Sequence, residues 1–299
     1  MNKLKIALIV GIVAMTTGSL RADTTLFGSI EQGLKVTDNG TSEIVGSGTI
    51  IGAKYNSSSD VGVPEDGSSN TFVFGELSAD IDVSGPNPVT TRDAFVGVGL
   101  GGNKVKLSVG RMQNIQDSIS EATIGIFSEG SDLTSRNAGR NSNTVKASIA
   151  LGGARLVGTS VIDGSDGVKG IDSWETGASY SLMGLNLVSA YAKDENTGTR
   201  TILGGINHTF GENFMIGGIY EQDKTVADNT TDTLTAVTSY TLGKNVLKGG
   251  YQTVEDAADT YLAELEHNFN KSTSAFVNAR HIDDTQDTQA YTVGFRLNF

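Results

Sequence analysis

The chain has 299 residues, 37% of them hydrophobic, with 38 glycines, three prolines, no cysteine and a formal net charge of −12. Without cysteine a disulfide scaffold and a Cys-ligated metal are excluded, and the acidic balance makes nucleic acid a poor partner. So low an apolar share is below the norm for a soluble chain of this length with one thick core, and it predicts a wet interior.

The first 22 residues, "MNKLKIALIVGIVAMTTGSLRA", carry Lys3 and Lys5, an apolar run from Ile6 to Met15 and small or polar residues up to Ala22. That is the layout of a secretory signal peptide, and a run of about ten residues is half what a bilayer-spanning helix needs. Cleavage after Ala22 leaves residues 23–299 as the mature chain. It also removes Lys3, Lys5 and Arg21 and takes the charge from −12 to −15.

Strands and turns then follow almost without pause. "TTLFGSIEQGLKV" sets Leu26, Gly28, Ile30, Leu34 and Val36 against Ser29, Glu31 and Lys35. "TFVFGELSADIDV" sets Val73, Gly75, Leu77, Ala79, Ile81 and Val83 against Phe72, Phe74, Glu76, Ser78, Asp80 and Asp82. The same two-residue period runs through "NTVKASIAL", with Thr144, Lys146 and Ser148 on its polar face, and through "TSAFVNARH". It persists in "YTVGFRLNF", where Tyr291, Val293, Phe295, Leu297 and Phe299 alternate with small or polar residues to the last atom. Successive strand side chains point to opposite faces, so each strand has one greasy and one wet face. Helical spacing shows only around "SISEATIGIF".

Short Gly- or Asn-containing turns such as "LGGNK", "LGGAR", "LMGL" and "LGKN" alternate with longer polar ones such as "KDENTGT" and "VEDAADT". That alternation predicts an all-β, up-and-down antiparallel sheet of about sixteen strands of about ten residues, whose two edges meet different surroundings. Such strands cross a bilayer when tilted, and in lipid no edge can stay unpaired, so the last strand must close on the first. A chain end that seals a transmembrane barrel has no freedom to fray. A soluble β-sandwich also alternates, but it does not require the terminal aromatic Phe299.

The segments "YTVGFRLNF", "TLFGSIEQGL", "TRDAFVGVGLGGNKVKLSVGR" and "RNSNTVKASI" resemble those of the general diffusion porins of Gram-negative bacteria, a trimeric sixteen-stranded family. The resemblance implies a multi-pass barrel in the outer membrane, passing ions and small hydrophilic solutes without a cofactor. It implies outer-membrane lipid and lipopolysaccharide, the barrel-insertion machinery and two further copies of the chain as partners. Phe299 would be part of the signal for assembly. The stretch "NSSSDVGVPEDGSSN" departs from the family in being longer than the tight turn usual there.

In that family the third outer loop folds into the barrel and narrows it. Here the corresponding loop, about residues 112–142, contains Asp117, Glu121, Glu129 and Asp132 as well as Ile119, Ile124, Ile126 and Phe127. A long loop with apolar residues is more often functional than disordered. Inward parity or motif match nominates Lys35, Lys54, Arg92 and Lys106 as pore-wall cations. The same criteria add Arg111, Arg140, Lys146 and Arg296. Carboxylates facing bases across water would create a transverse field that biases which ion passes. The overall charge predicts weak cation preference.

Enzyme signals are poor. "GVGLGG" (Gly97 to Gly102) fits GxGxxG but precedes another alternating strand rather than a helix, which reads as a hairpin turn. His208, His267 and His281 lack metal-like spacing, and "DGSDGVKGID" lacks a full calcium-loop pattern. Two alternatives stand beside the diffusion channel. One is a substrate-selective channel, hinted at by Phe72 and Phe74 on a lumen face; the other is a barrel enzyme with a wall-borne Ser-His pair.

Overall fold

The last strand closes on the first. The computed structural model describes residues 22–299 apart from 47–48, 58–70, 83–88, 102, 129–132, 134–138, 163–169, 228 and 284–286. In chain order it contains β1 (Ala22–Thr37), β2 (Ser42–Val45), β3 (Thr49–Ser57), β4 (Phe72–Ile81), β5 (Val89–Leu100), β6 (Val105–Gln113) and a helix, α1 (Ile115–Ile124). There follow β7 (Arg140–Leu151), β8 (Ala154–Val161), β9 (Ser173–Leu182), β10 (Leu185–Asp194), β11 (Arg200–Phe210) and β12 (Phe214–Lys224). The chain ends with β13 (Thr230–Leu242), β14 (Asn245–Val254), β15 (Asp259–Asn268), β16 (Thr273–Asp283) and β17 (Thr288–Asn298). From β3 onward each strand pairs antiparallel with the next in sequence, and β17 pairs with β1. Segments β2 and β3 both lie along β1 and form one interrupted strand, which gives sixteen strands in a closed barrel.

At the seam Glu31 lies opposite Arg296, and the Phe299 N–H donates to Gly28 O (3.0 Å) while its carbonyl accepts from Gly28 N–H (2.9 Å). The pairing therefore runs to the last residue, as the alternating C-terminus predicts. Val293 is 53% exposed and its neighbour Thr292 2%. That contrast fixes which face is outside, and it is the apolar one. Leu26, Ile30 and Leu34 on β1 are likewise exposed, whereas Glu31 is buried in the lumen. This inside-out distribution suits a barrel whose outer solvent is hydrocarbon.

Tight connections use positive φ, as two-residue hairpins require. Between β9 and β10, Met183 and Gly184 sit at φ 50° and 80°. The signal-peptide reading of residues 1–22 falls, up to residue 21, outside the described residues. So do most of "NSSSDVGVPEDGSSN" and of the candidate calcium loop.

The loop after β6 turns into the lumen, and its first part is α1. Asn114 caps it, its Oδ1 accepting from the Asp117 N–H (2.7 Å), and Asp117 lies in the first turn, where a carboxylate favours the helix dipole. The helix begins three residues before the periodic stretch that signals it. Its buried side chains Ile115, Ile119 and Ile124, followed by Phe127 and Leu133, pack on Ala190, Leu203, Ile219, Val237 and Leu262, which face inward from β10 to β13 and from β15. An apolar band on a wet wall has nowhere else to hide, so loop and wall bury each other. At about 1.5–3 kcal/mol for each large side chain, the contact contributes at most on the order of 10 kcal/mol.

Candidate functional site

Two irregularities in the strands position the charged groups beside α1. Between Leu77 and Ala79 the β4–β5 register shifts, so the single Ser78 faces both Arg92 and Asp93. Its hydroxyl accepts from the Asp93 N–H (3.2 Å), and both charged neighbours turn into the lumen. Between Gly110 and Met112 the β6–β7 register shifts as well, placing Arg111 against Ser142 and Asn143, the latter at φ 53°.

A cavity of about 520 Å³ opens between these strands and α1. Its basic lining is Lys54, Arg92, Lys106, Arg140, Lys146 and Arg155; its acidic lining is Glu76, Asp93 and Glu121. Several charges are matched. Arg92 bonds Asp80 (2.8 Å), Lys54 lies 3.7 Å from Glu76, and Arg140 contacts Asp93 (3.1 Å) and, on α1, Asp117 (3.7 Å). Glu121 accepts from the Gln113 side chain (2.6 Å). Among the described residues, Lys106, Lys146 and Arg155 reach no carboxylate within 4.0 Å. Lys146 instead donates to Gln113 O (3.5 Å) and Arg155 to Ser148 Oγ (3.4 Å). Burial pushes the Asp117 carboxyl above the ordinary aspartate range, against the opposing pull of Gln113 and Arg140.

Three polar wall groups hold the loop in place. Glu175 accepts from the Ile115 N–H at the start of α1 (2.5 Å), and Asn207 donates to Ala122 O near its end (2.9 Å). Glu264 takes both the N–H and the hydroxyl of Ser128 (2.9 and 2.8 Å) and is itself neutralised by Lys248 (2.6 Å). The wall also lacks side chains where the loop comes closest. A Cβ at Gly217 would lie 2.5 Å from Thr123 O, and one at Gly250 2.6 Å from Leu133.

Of the residues nominated from sequence, Asp117, Glu121, Lys54, Arg92, Lys106, Arg140 and Lys146 gather at or beside this cavity. Arg111 does not. It shares the parity of the exposed Leu107 and Val109, and its guanidinium donates to Thr91 O (3.0 Å), Arg140 O (3.3 Å) and Ser142 Oγ (3.2 Å), bracing the strands at the rim. Lys35 is paired across β1–β2 with Glu43 (2.9 Å). Arg296 is bonded to Glu31 and lies 3.8 Å from Glu266, so it serves the closing seam rather than the cavity. Glu129 and Asp132 lie outside the described residues. Asp93, Arg155, Glu175 and Glu264 were not nominated. Parity with the inward Thr159 would have found Arg155, and parity with Phe95 would have found Asp93; it is Arg92, of opposite parity, that the bulge turns inward.

A family model described as Gram-negative porin matches residues 7–287. No curated protein sequence matches significantly. Among solved structures the chain is similar to an anion-selective porin from Comamonas acidovorans, with 16% identity and a TM-score of 0.73 over 93% of this chain and 100% of that one. It is also similar to a loop-deletion mutant of the outer-membrane protein OmpT of Vibrio cholerae, with 15% identity and a TM-score of 0.69 over 93% and 99% of the two chains. A mutant of the Rhodopseudomonas blastica porin gives 15%, 0.69, 93% and 100%.

Proposed function

The chain belongs to the Gram-negative porin family, and from that premise we propose that its water-filled channel prefers anions at the constriction. Passive diffusion of ions and small hydrophilic solutes across the outer membrane follows from family and fold, which are those of a channel and not of an enzyme. The observation that carries the preference is the cavity lining, with six bases against three acids and, among the described residues, no carboxylate within 4.0 Å of Lys106, Lys146 or Arg155. This reverses the weak cation preference expected from overall charge. Exposed loop acids such as Glu255 and Asp256 are screened beyond about 8 Å at physiological salt, whereas charges at a narrow, partly dehydrated point are not.

The reversal potential of the purified protein in a potassium chloride gradient tests this. Chloride preference is expected, moving toward potassium when Lys106→Gln, Lys146→Gln and Arg155→Gln are combined. Potassium preference in the unmodified protein would overturn it.

Acidification supplies a second test. Burial favours the neutral form of Asp117, so this carboxyl takes up its proton at a higher pH than an ordinary aspartate. Protonation removes a negative charge facing Arg140, and anion preference should strengthen between about pH 7 and about pH 4. Asp117→Asn should show the strengthened preference already at neutral pH and a smaller further change; an identical pH response in that variant would assign the titration elsewhere.

The remaining readings extend from the family. The chain is exported by residues 1–22 and assembles as a homotrimer among outer-membrane lipid and lipopolysaccharide. Phe299, whose backbone pairs with Gly28, is read by the barrel-insertion machinery. The wall residues Lys35, Arg111 and Arg296 stabilise strands, and the loop residues Asp117 and Glu121 tune the field.

A further inference from the structure

We infer that the cavity contains a subsite for small aromatic carboxylates, with an aryl ring lying against Phe74 and the carboxylate held by Lys106, Lys146 and Arg155. This deepens the anion-channel reading and rests on it. The site spans five adjacent strands. Phe72 and Phe74 on β4 lie opposite Gly99 and Gly97 on β5, which in turn lie opposite Lys106 and Ser108 on β6. Lys106 and Ser108 face Ser148 and Lys146 on β7, and Arg155 on β8 bonds Ser148. Because β5 is bare there, the two rings lie across it; a Cβ at Gly97 or Gly99 would stand 2.5 or 2.1 Å from them. The rings reach Lys106, whose Nζ is 5.4 Å from the Phe74 centroid and 5.8 Å from that of Phe72. Phe95 meets Phe74 edge to face at 6.3 Å and also lines the cavity.

A Phe ring over a Gly also stabilises a strand pair, and the device recurs at Phe276 over Gly294 and Phe27 over Gly52. What distinguishes Phe72 and Phe74 is their neighbours. The lysine over Phe27 is matched by Glu76, but Lys106 beside Phe74 has no carboxylate within 4.0 Å among the described residues. Chloride has no use for an aromatic wall, and a neutral sugar has none for three cations. A flat ring bearing one carboxylate satisfies both, by stacking and by charge-assisted hydrogen bonds. The cavity volume falls within the range of small-molecule sites, about 300–1,000 Å³.

Block of single-channel current in planar bilayers, with benzoate, cyclohexanecarboxylate, acetate and benzyl alcohol as probes, tests this. Benzoate should block at the lowest concentration, cyclohexanecarboxylate and acetate more weakly, and benzyl alcohol least. Phe74→Leu should lower the ratio of benzoate to acetate affinity about fivefold, the scale of one aromatic pair, and Phe95→Leu provides a second variant should the first fail to fold. Lys106→Gln should weaken both carboxylates about tenfold. Equal block by benzoate and cyclohexanecarboxylate, or an unaltered ratio in both Phe variants, would overturn the subsite and leave the rings a structural role. The potassium chloride reversal potential is read separately. Cation preference together with Phe74-dependent benzoate block would remove the anion-channel reading and keep the subsite, and chloride preference without such block would do the opposite.

Discussion

Ile124→Asp combined with Phe127→Asp will release the third loop from the wall, raising single-channel conductance and admitting larger neutral sugars. Both side chains are buried against inward-facing apolar residues of the barrel. Losing the phenyl ring alone costs about 3–5 kcal/mol, and each buried carboxylate without a partner adds a comparable penalty. Together these rival the whole apolar contact that holds the loop, at most on the order of 10 kcal/mol. The barrel itself is closed by hydrogen bonds between strands, none of which the two changes touch, so heat-modifiable mobility on gels should persist. Gly217→Leu attacks the same contact from the wall, since its Cβ would lie 2.5 Å from Thr123 O. It should give the same enlarged pore. Unchanged conductance and sugar cut-off in both variants would show that Glu175, Asn207 and Glu264 hold the loop without its apolar face.

Val293→Arg will destabilise the folded barrel in lipid by about 2–4 kcal/mol, the scale for a basic residue on the lipid face near the bilayer midplane. Val293 lies in mid-strand between Leu34 and Val277, both also exposed on the outer face. Urea unfolding in vesicles measures the loss. Gln113→Arg is the inward control, because Gln113 lines the cavity; it should alter conductance with little effect on stability. Gly294 is unsuited to that comparison. A side chain there would meet Phe276 at 2.4 Å and Gln32 O at 2.5 Å, and destabilisation would come from crowding alone. Equal urea responses for Val293→Arg and Gln113→Arg would show that the outer face is not the one facing lipid.

The sequence by itself determined the barrel, its strand faces and its closure. A strand's side chains alternate by covalent geometry, so Val293 and Thr292 must part to opposite faces wherever the strand goes, and a spanning sheet in lipid cannot leave an edge unpaired. The direction of the third loop was partly legible too. Ile119, Ile124 and Phe127 had to be covered, and β11 to β13 carry apolar residues of both parities, such as Ile202 beside Leu203. Only the tertiary structure decided which charges meet at the cavity beside α1. The β4–β5 register shift turned Arg92 inward beside Asp93, Arg111 kept the parity of the outer face, and pairing across strands assigned Lys35 to Glu43 and Arg296 to Glu31. Overall charge pointed to cations. What remains at the cavity after that pairing is Lys106, Lys146 and Arg155 against Glu121, and which charges lie within a Debye length of a permeating ion depends on strands far apart in the chain.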